Sequence, residues 1–209
     1  MQQSTLFTQA NWDTEPPATV PKPLNNASLI NQTSGNFEYY TPSFIVEAAR
    51  RVMGSIDLDP ASSAIANQTV GATHYYTIAD DGLQQPWFGN VWLNHPFSRA
   101  NNPKWIDKLR IEYEIGDVGQ ACCICFAATS EGWFQPLFDY PLCFLSPRTN
   151  YVLPDGTLKE DVTKGSVVAY LGLNLLGFIT EFKPFGSLSL PAWRIDPSTL
   201  CHWKRSKSI

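Results

Sequence analysis

The segment VWLNHPFSRANN, residues 91–102, joins a short hydrophobic run to four residues that no ordinary turn requires. Val91, Trp92 and Leu93 read as a buried strand that stops at Asn94, His95, Pro96 and Phe97. A turn makes use of Asn or Pro but gains nothing from a phenyl ring. A pocket for a flat, amino-bearing ring uses every part, because a carboxamide and peptide carbonyls accept hydrogen bonds and an aromatic face stacks. Directly downstream, NPKWIDKLRIEYEIG spaces Trp105, Ile106, Leu109 and Tyr113 for one face of an amphipathic helix. QACCICFAA then follows as an apolar strand suited to the centre of a sheet. Strand, helix and strand in that order predict an α/β fold.

The alternation extends both ways. Upstream, YYTPSFIVEAARRVMG predicts a helix with Thr41 as cap and Pro42 as first helical residue; Phe44, Ile45, Ala48, Ala49 and Val52 form its apolar face, and Gly54 ends it. SIDLDPASS predicts a strand ending in Asp57, Asp59 and Pro60, AIANQTVGA a short helix or irregular turn, and THYYTIADDGL a strand with an acidic loop. Downstream, SEGWFQPLFDY suggests a short helix with Ser130 as N-cap and Glu131 in its first turn, before the strand LCFLSPR. TNYVLPDGTLKEDVTKGSVVAYLG suggests a hairpin in which a Pro-Asp-Gly turn carries an insertion and the apolar run returns as the second strand. Residues 1–36, rich in Gln, Asn, Thr, Ser and Pro, read as a flexible arm, 37–190 as the folded domain and 191–209 as a tail.

The bulk properties narrow the classes. A chain of 209 residues, 44% hydrophobic, supports one substantial core. It has no long apolar run, and its start lacks the basic and apolar regions of a secretion signal, so an intracellular protein without a membrane partner is expected. Of five cysteines, Cys122, Cys123 and Cys125 crowd one apolar strand and fit buried thiols; His74, His95 and His202 fall at no ligand spacing from them, so no metal is expected. A net charge of −4 argues against broad electrostatic attachment to nucleic acid, yet Arg99, Lys104, Lys108 and Arg110 follow the tetrad, and Lys204, Arg205 and Lys207 lie near the end.

In an open α/β sheet, ligands bind beyond the carboxyl ends of the strands, where residues 57–61, 80–83 and 94–97 all fall. Taken in order, YYTP, DLDPAS, YYTIADDGL and VWLNHPF resemble the phage-type DNA N6-adenine methyltransferases, a compact branch of the S-adenosylmethionine-dependent amino-methyltransferases. The resemblance covers roughly residues 39–172 and takes in ATSEGWFQPL, CFLSPR and GSVVAYLG. It implies a compact Rossmann-like methyltransferase sheet, mostly parallel with a C-terminal antiparallel hairpin. It also implies S-adenosylmethionine as cofactor, DNA as partner and methylation of the adenine N6 amino group on a flipped base.

Carried over residue by residue, the resemblance makes Asn94, His95, Pro96 and Phe97 the catalytic tetrad. The Asn94 side-chain oxygen and the His95 carbonyl would accept the amino hydrogens, and Phe97 would stack on the base. Phe97, Ser98, Arg99 and Lys104 would meet the substrate. Tyr40, Thr41, Pro42, Asp57, Asp59, Pro60 and Ala61 would border the cofactor, and Asp80 or Asp81 would accept from its adenine amine; alternation alone does not separate those two. Trp92 reads as core.

His95 stands where the family pattern has Pro or a similar small residue, and Phe97 where Tyr is commoner. A backbone carbonyl is available from any residue, and Phe stacks as Tyr does. An imidazole there would alter substrate choice or add a proton acceptor, and the competing reading turns it to solvent. The alternatives in function are a degenerate methyltransferase fold that binds cofactor or nucleic acid without turnover, and methylation of another amine in cytosine, RNA or glutamine.

Overall fold

The nine-residue run Val118–Phe126 forms the long strand that organises the sheet, buried from Ala121 to Cys125 as its unbroken apolar pattern requires. The computed structural model describes residues 39–153, 155–159 and 162–191. In chain order these give α1 (Ser43–Met53), β1 (Leu58–Asp59), α2 (Ala66–Val70), β2 (His74–Tyr75), β3 (Gly89–Leu93), α3 (Asn102–Ile115), β4 (Val118–Phe126), β5 (Leu142–Leu145), β6 (Tyr151–Val152), β7 (Leu158–Lys159), β8 (Ser166–Leu171), α4 (Leu175–Phe182) and β9 (Gly186–Ser189). The expected arm and basic tail lie outside the described residues.

A seven-stranded sheet has the order β2-β1-β3-β4-β8-β5-β9. Strands β2, β1, β3 and β4 pair in parallel. Strand β8 runs antiparallel between β4 and β5, and β9 closes the edge antiparallel to β5. The chain is thus mixed α/β, with β4 central as its sequence predicts. Cys122, Cys123, Cys125 and Cys143 are buried and unbridged, and burial pushes the Cys122 and Cys143 thiols up, so they fill space as protonated groups.

Three expectations need correction. Pro42, not Thr41, is the N-cap of α1, without a side-chain cap, and its carbonyl accepts from Ile45 and Val46. The segment after β4 forms a 3-10 turn over Gln135–Asp139 rather than a helix capped by Ser130, because Gly132 and Pro136 interrupt any longer run. A hairpin does follow β6, but its return strand is the short β7 inside the supposed insertion, in a separate two-stranded sheet. The apolar β8 instead enters the main sheet, where a six-residue run buried at every position finds two partners.

The far end of α1 is closed by side-chain amides. Asn90 and Gln120 donate to the Met53 carbonyl and Asn174 to that of Val52, giving partners to acceptors that a helix end leaves open. At the opposite end of the sheet the acidic loop packs directly onto the end of β1: a Cβ on buried Gly82 would overlap the Pro60 carbonyl oxygen. Gly82→Ala is therefore predicted to destabilise the protein by about 1–3 kcal/mol in urea unfolding. Gly132→Ala, where a Cβ meets nothing within 4 Å, should stay within about 0.5 kcal/mol of wild type.

Candidate active site

Beyond the carboxyl ends of β1 and β3 lies a cavity of about 360 Å³, within the usual small-molecule range of ~300–1,000 Å³. One wall comes from Tyr39 to Thr41, a second from Asp59 to Ser63, a third from Thr77, Ile78, Asp81 and Gly82, and a fourth from Asn94 to Ser98, backed by Trp92, Asn101 and Trp105. The sheet brings these segments together because β1 and β3 are parallel neighbours, so their ends open on the same side.

Asn94, where β3 stops, is half-buried, and its Nδ2 donates to the Tyr39 carbonyl at 2.7 Å. Since the Tyr39 oxygen can only accept, this contact sets the amide orientation and leaves Oδ1 as the acceptor of a side chain that lines the cavity. The Tyr39 segment is held in turn: Tyr40 exchanges backbone hydrogen bonds with Val152 of β6 at 2.8 and 2.9 Å, and its hydroxyl meets Ser63 Oγ at 3.1 Å.

Asp59 is buried on the second wall, with the Ala61 N–H donating to its Oδ1 at 3.2 Å. Burial raises its carboxyl to about 7, against the opposing hydrogen bonds from Ser62 and the Ala61 backbone. The two candidate aspartates of the loop separate. Asp80 turns onto Thr77, taking its backbone N–H at 2.8 Å and its hydroxyl at 2.7 Å, and these bonds hold its carboxyl low. Asp81 lines the cavity, at a positive φ of 52°. Among the described residues no Lys or Arg lines the cavity, and Asp59 and Asp81 are the acidic side chains of its wall.

Other expected residues fall elsewhere. Asp57 faces away from the cavity, its oxygens occupied by the Ser55 hydroxyl and the Asn90 N–H. Pro42 caps α1 and does not reach the cavity wall, and Arg99 and Lys104 are exposed outside it. Phe97 lines the cavity but is no exposed ring: it is buried against Phe126 at 4.6 Å and Tyr151 at 5.7 Å between centroids. His95 does not point to solvent; it is buried, with Nε2 3.0 Å from Asn102 Oδ1. Trp92 is core, as read, although its edge reaches the cavity and its Nε1 is buried without a partner, like Thr41 Oγ1.

The sequence reading missed Tyr39, Ser62, Ser63, Thr77, Asn101 and Trp105 as cavity residues. None carried a signal of its own, whereas Gly82 lies in the 80–83 segment already expected there. Among the described residues no group of three His, Cys, Asp or Glu is placed to hold a metal, and no helix is long and apolar enough to cross a membrane.

Comparison with curated proteins and with solved structures finds no match. The family model described as DNA N-6-adenine-methyltransferase (Dam) matches residues 32–169, which takes in the strand ends and loops that form the cavity. The chain belongs to the DNA N-6-adenine-methyltransferase (Dam) family.

Proposed function

We propose that the protein transfers the methyl group of S-adenosylmethionine to the N6 amino nitrogen of an adenine turned out of DNA into this cavity, on a compact Rossmann-like methyltransferase sheet. The observation that carries the reading is the Asn94 carboxamide, whose NH2 donates to the Tyr39 carbonyl and whose oxygen is the acceptor for an incoming amine. The cavity residues fit the cofactor. Among the described residues, Asp59 and Asp81 bring carboxyls without a cationic neighbour in the wall, the hydroxyls of Ser62, Ser63 and Thr77 stand among apolar groups, and buried Thr41 Oγ1 lacks a partner. Asp59, Pro60, Ala61 and Asp81 would hold it, with Tyr40 and Thr41 at its border.

When bound, S-adenosylmethionine supplies a methyl group made electrophilic by its sulfonium. The rest falls to the chain. The amino nitrogen of adenine is a weak nucleophile because its lone pair is delocalised into the ring. Asn94 Oδ1 and the His95 carbonyl each accept one amino hydrogen, which draws the nitrogen toward a tetrahedral shape and turns its lone pair out of the ring plane. Each such bond is worth roughly 0.5–1.5 kcal/mol net, so alignment within the cavity supplies most of the acceleration. Phe97, fixed by Phe126 and Tyr151, offers its remaining surface to the base. Exposed Arg99 and Lys104 are available to phosphates outside the cavity.

Two outcomes are expected. Nucleoside mass spectrometry of DNA from cells expressing the protein should show N6-methyladenine for wild type and none for Asn94→Ala; equal levels would remove Asn94 from the mechanism. Cofactor bound without any methylated nucleoside would favour a binding module instead.

Asp59 adds a pH dependence. Its carboxyl titrates near ~3.9 in an unfolded chain and at about 7 in the folded protein. The stability it contributes is therefore full below about pH 4 and is lost as pH rises through about 7. A cationic ligand needs the ionised form, so S-adenosylmethionine affinity should rise with pH up to about 7 and then level off. Calorimetric titration and thermal unfolding across pH should show both trends in wild type and neither in Asp59→Asn.

A further inference from the structure

The imidazole of His95 plays no part in the chemistry above, which uses only that residue's carbonyl. The ring is 2% exposed and reaches across the loop after β3 to Asn102, seven positions on, with Nε2 3.0 Å from Oδ1. It lies edge-on to Phe97 at 5.5 Å and nearly parallel to Trp105 at 6.4 Å. The backbone spanned by this contact is itself stitched, since Asn101 and Asn102 donate to the Ser98 carbonyl and Ser98 to that of Pro96. An amide oxygen only accepts, so Nε2 carries the ring hydrogen and Nδ1, buried without a partner, is the bare nitrogen. Burial lowers the imidazole to about 4, the Asn102 bond opposing, so the ring is neutral near pH 7.

We infer that His95 is a positioning residue: its imidazole, bonded to Asn102, anchors the loop after β3 to the start of α3 and holds the Asn94 carboxamide and the His95 carbonyl at fixed places on the cavity wall. A residue that only filled space there would need volume, not a donor aimed at Asn102. The anchor braces one wall of the cavity, because Asn94 to Ser98 form that wall and Asn101 and Trp105 back it. It leaves the Asp59 and Asp81 walls untouched. Its kinetic consequence rests on the proposed methyl transfer; its geometry does not.

The test uses the full chain, adenine-containing unmethylated DNA and S-adenosylmethionine. Asn102→Leu, which removes the acceptor at similar volume, should lower kcat about tenfold or more and leave KM for S-adenosylmethionine within about twofold. Asn102→Asp, which keeps an acceptor, should recover most of kcat. His95→Ala combined with Asn102→Leu should be no slower than the slower single variant, because both break one contact. Wild-type kcat in Asn102→Leu, no recovery in Asn102→Asp, or additive losses would overturn the anchor. Nitrogen-15 NMR of the wild-type ring needs no variant to fold and no turnover: a neutral ring protonated on Nε2 at pH 7 is expected, and a proton on Nδ1 or a charged ring would overturn it. A wild type that methylates nothing sinks the methylation reading, while the tautomer still decides the anchor.

Discussion

The hydrogen bond from Asn94 Nδ2 to the Tyr39 carbonyl, 2.7 Å long between residues 55 positions apart, is the contact on which the proposed chemistry depends. Its net worth is roughly 1 kcal/mol, which is small beside the core. Its effect is directional. Reversing the amide would set two oxygens face to face, so the side chain keeps its donor on Tyr39 and its oxygen as an acceptor. The Tyr39 carbonyl is held in turn by structure far along the chain: Tyr40 pairs with Val152 in β6, and Tyr151 beside it donates or accepts with Ser166 Oγ at 2.8 Å while its ring packs on Phe97. The small β6–β7 sheet thereby steadies both the acceptor and the ring at the end of β3.

Charge is divided between the inside and the outside of the site. Among the described residues the wall includes the carboxyls of Asp59 and Asp81 and no Lys or Arg, and the His95 imidazole there stays neutral near pH 7. Exposed cations, Arg99 and Lys104, stand just beyond the tetrad. This division suits the proposed pair of ligands, a small cation within and a polyanion across the mouth. It also explains why a net charge of −4 is compatible with a nucleic-acid substrate: the relevant field is local.

Much of this was legible in the sequence because it rests on short-range pattern. The apolar runs of β3, β4 and β8 and the spacing of Trp105, Ile106 and Leu109 have the periods that burial demands. The order of the strand ends was enough to bring Asn94, Asp59 and the loop of Asp80 and Asp81 to one cavity. What stayed hidden depends on partners distant in the chain. Asp57 and Asp59 share a face only if both lie in a strand, and β1 is just Leu58–Asp59, so Asp57 turns toward Asn90. Asp80 and Asp81 are divided by a local bond to Thr77. The orientation of His95 is decided by Asn102, and the two-residue strands β6 and β7 exist only through their pairing.

The central claim is that the Asn94 oxygen receives the amine that is methylated. A crystal structure of the full chain with S-adenosylhomocysteine and adenine-containing DNA tests it most directly. The account predicts an adenine outside the helix, its N6 within hydrogen-bonding distance of Asn94 Oδ1 and the His95 carbonyl, with Asn94 Nδ2 still on Tyr39. An adenine seated elsewhere, or an Asn94 side chain that has left Tyr39 and turned from the base, would contradict it.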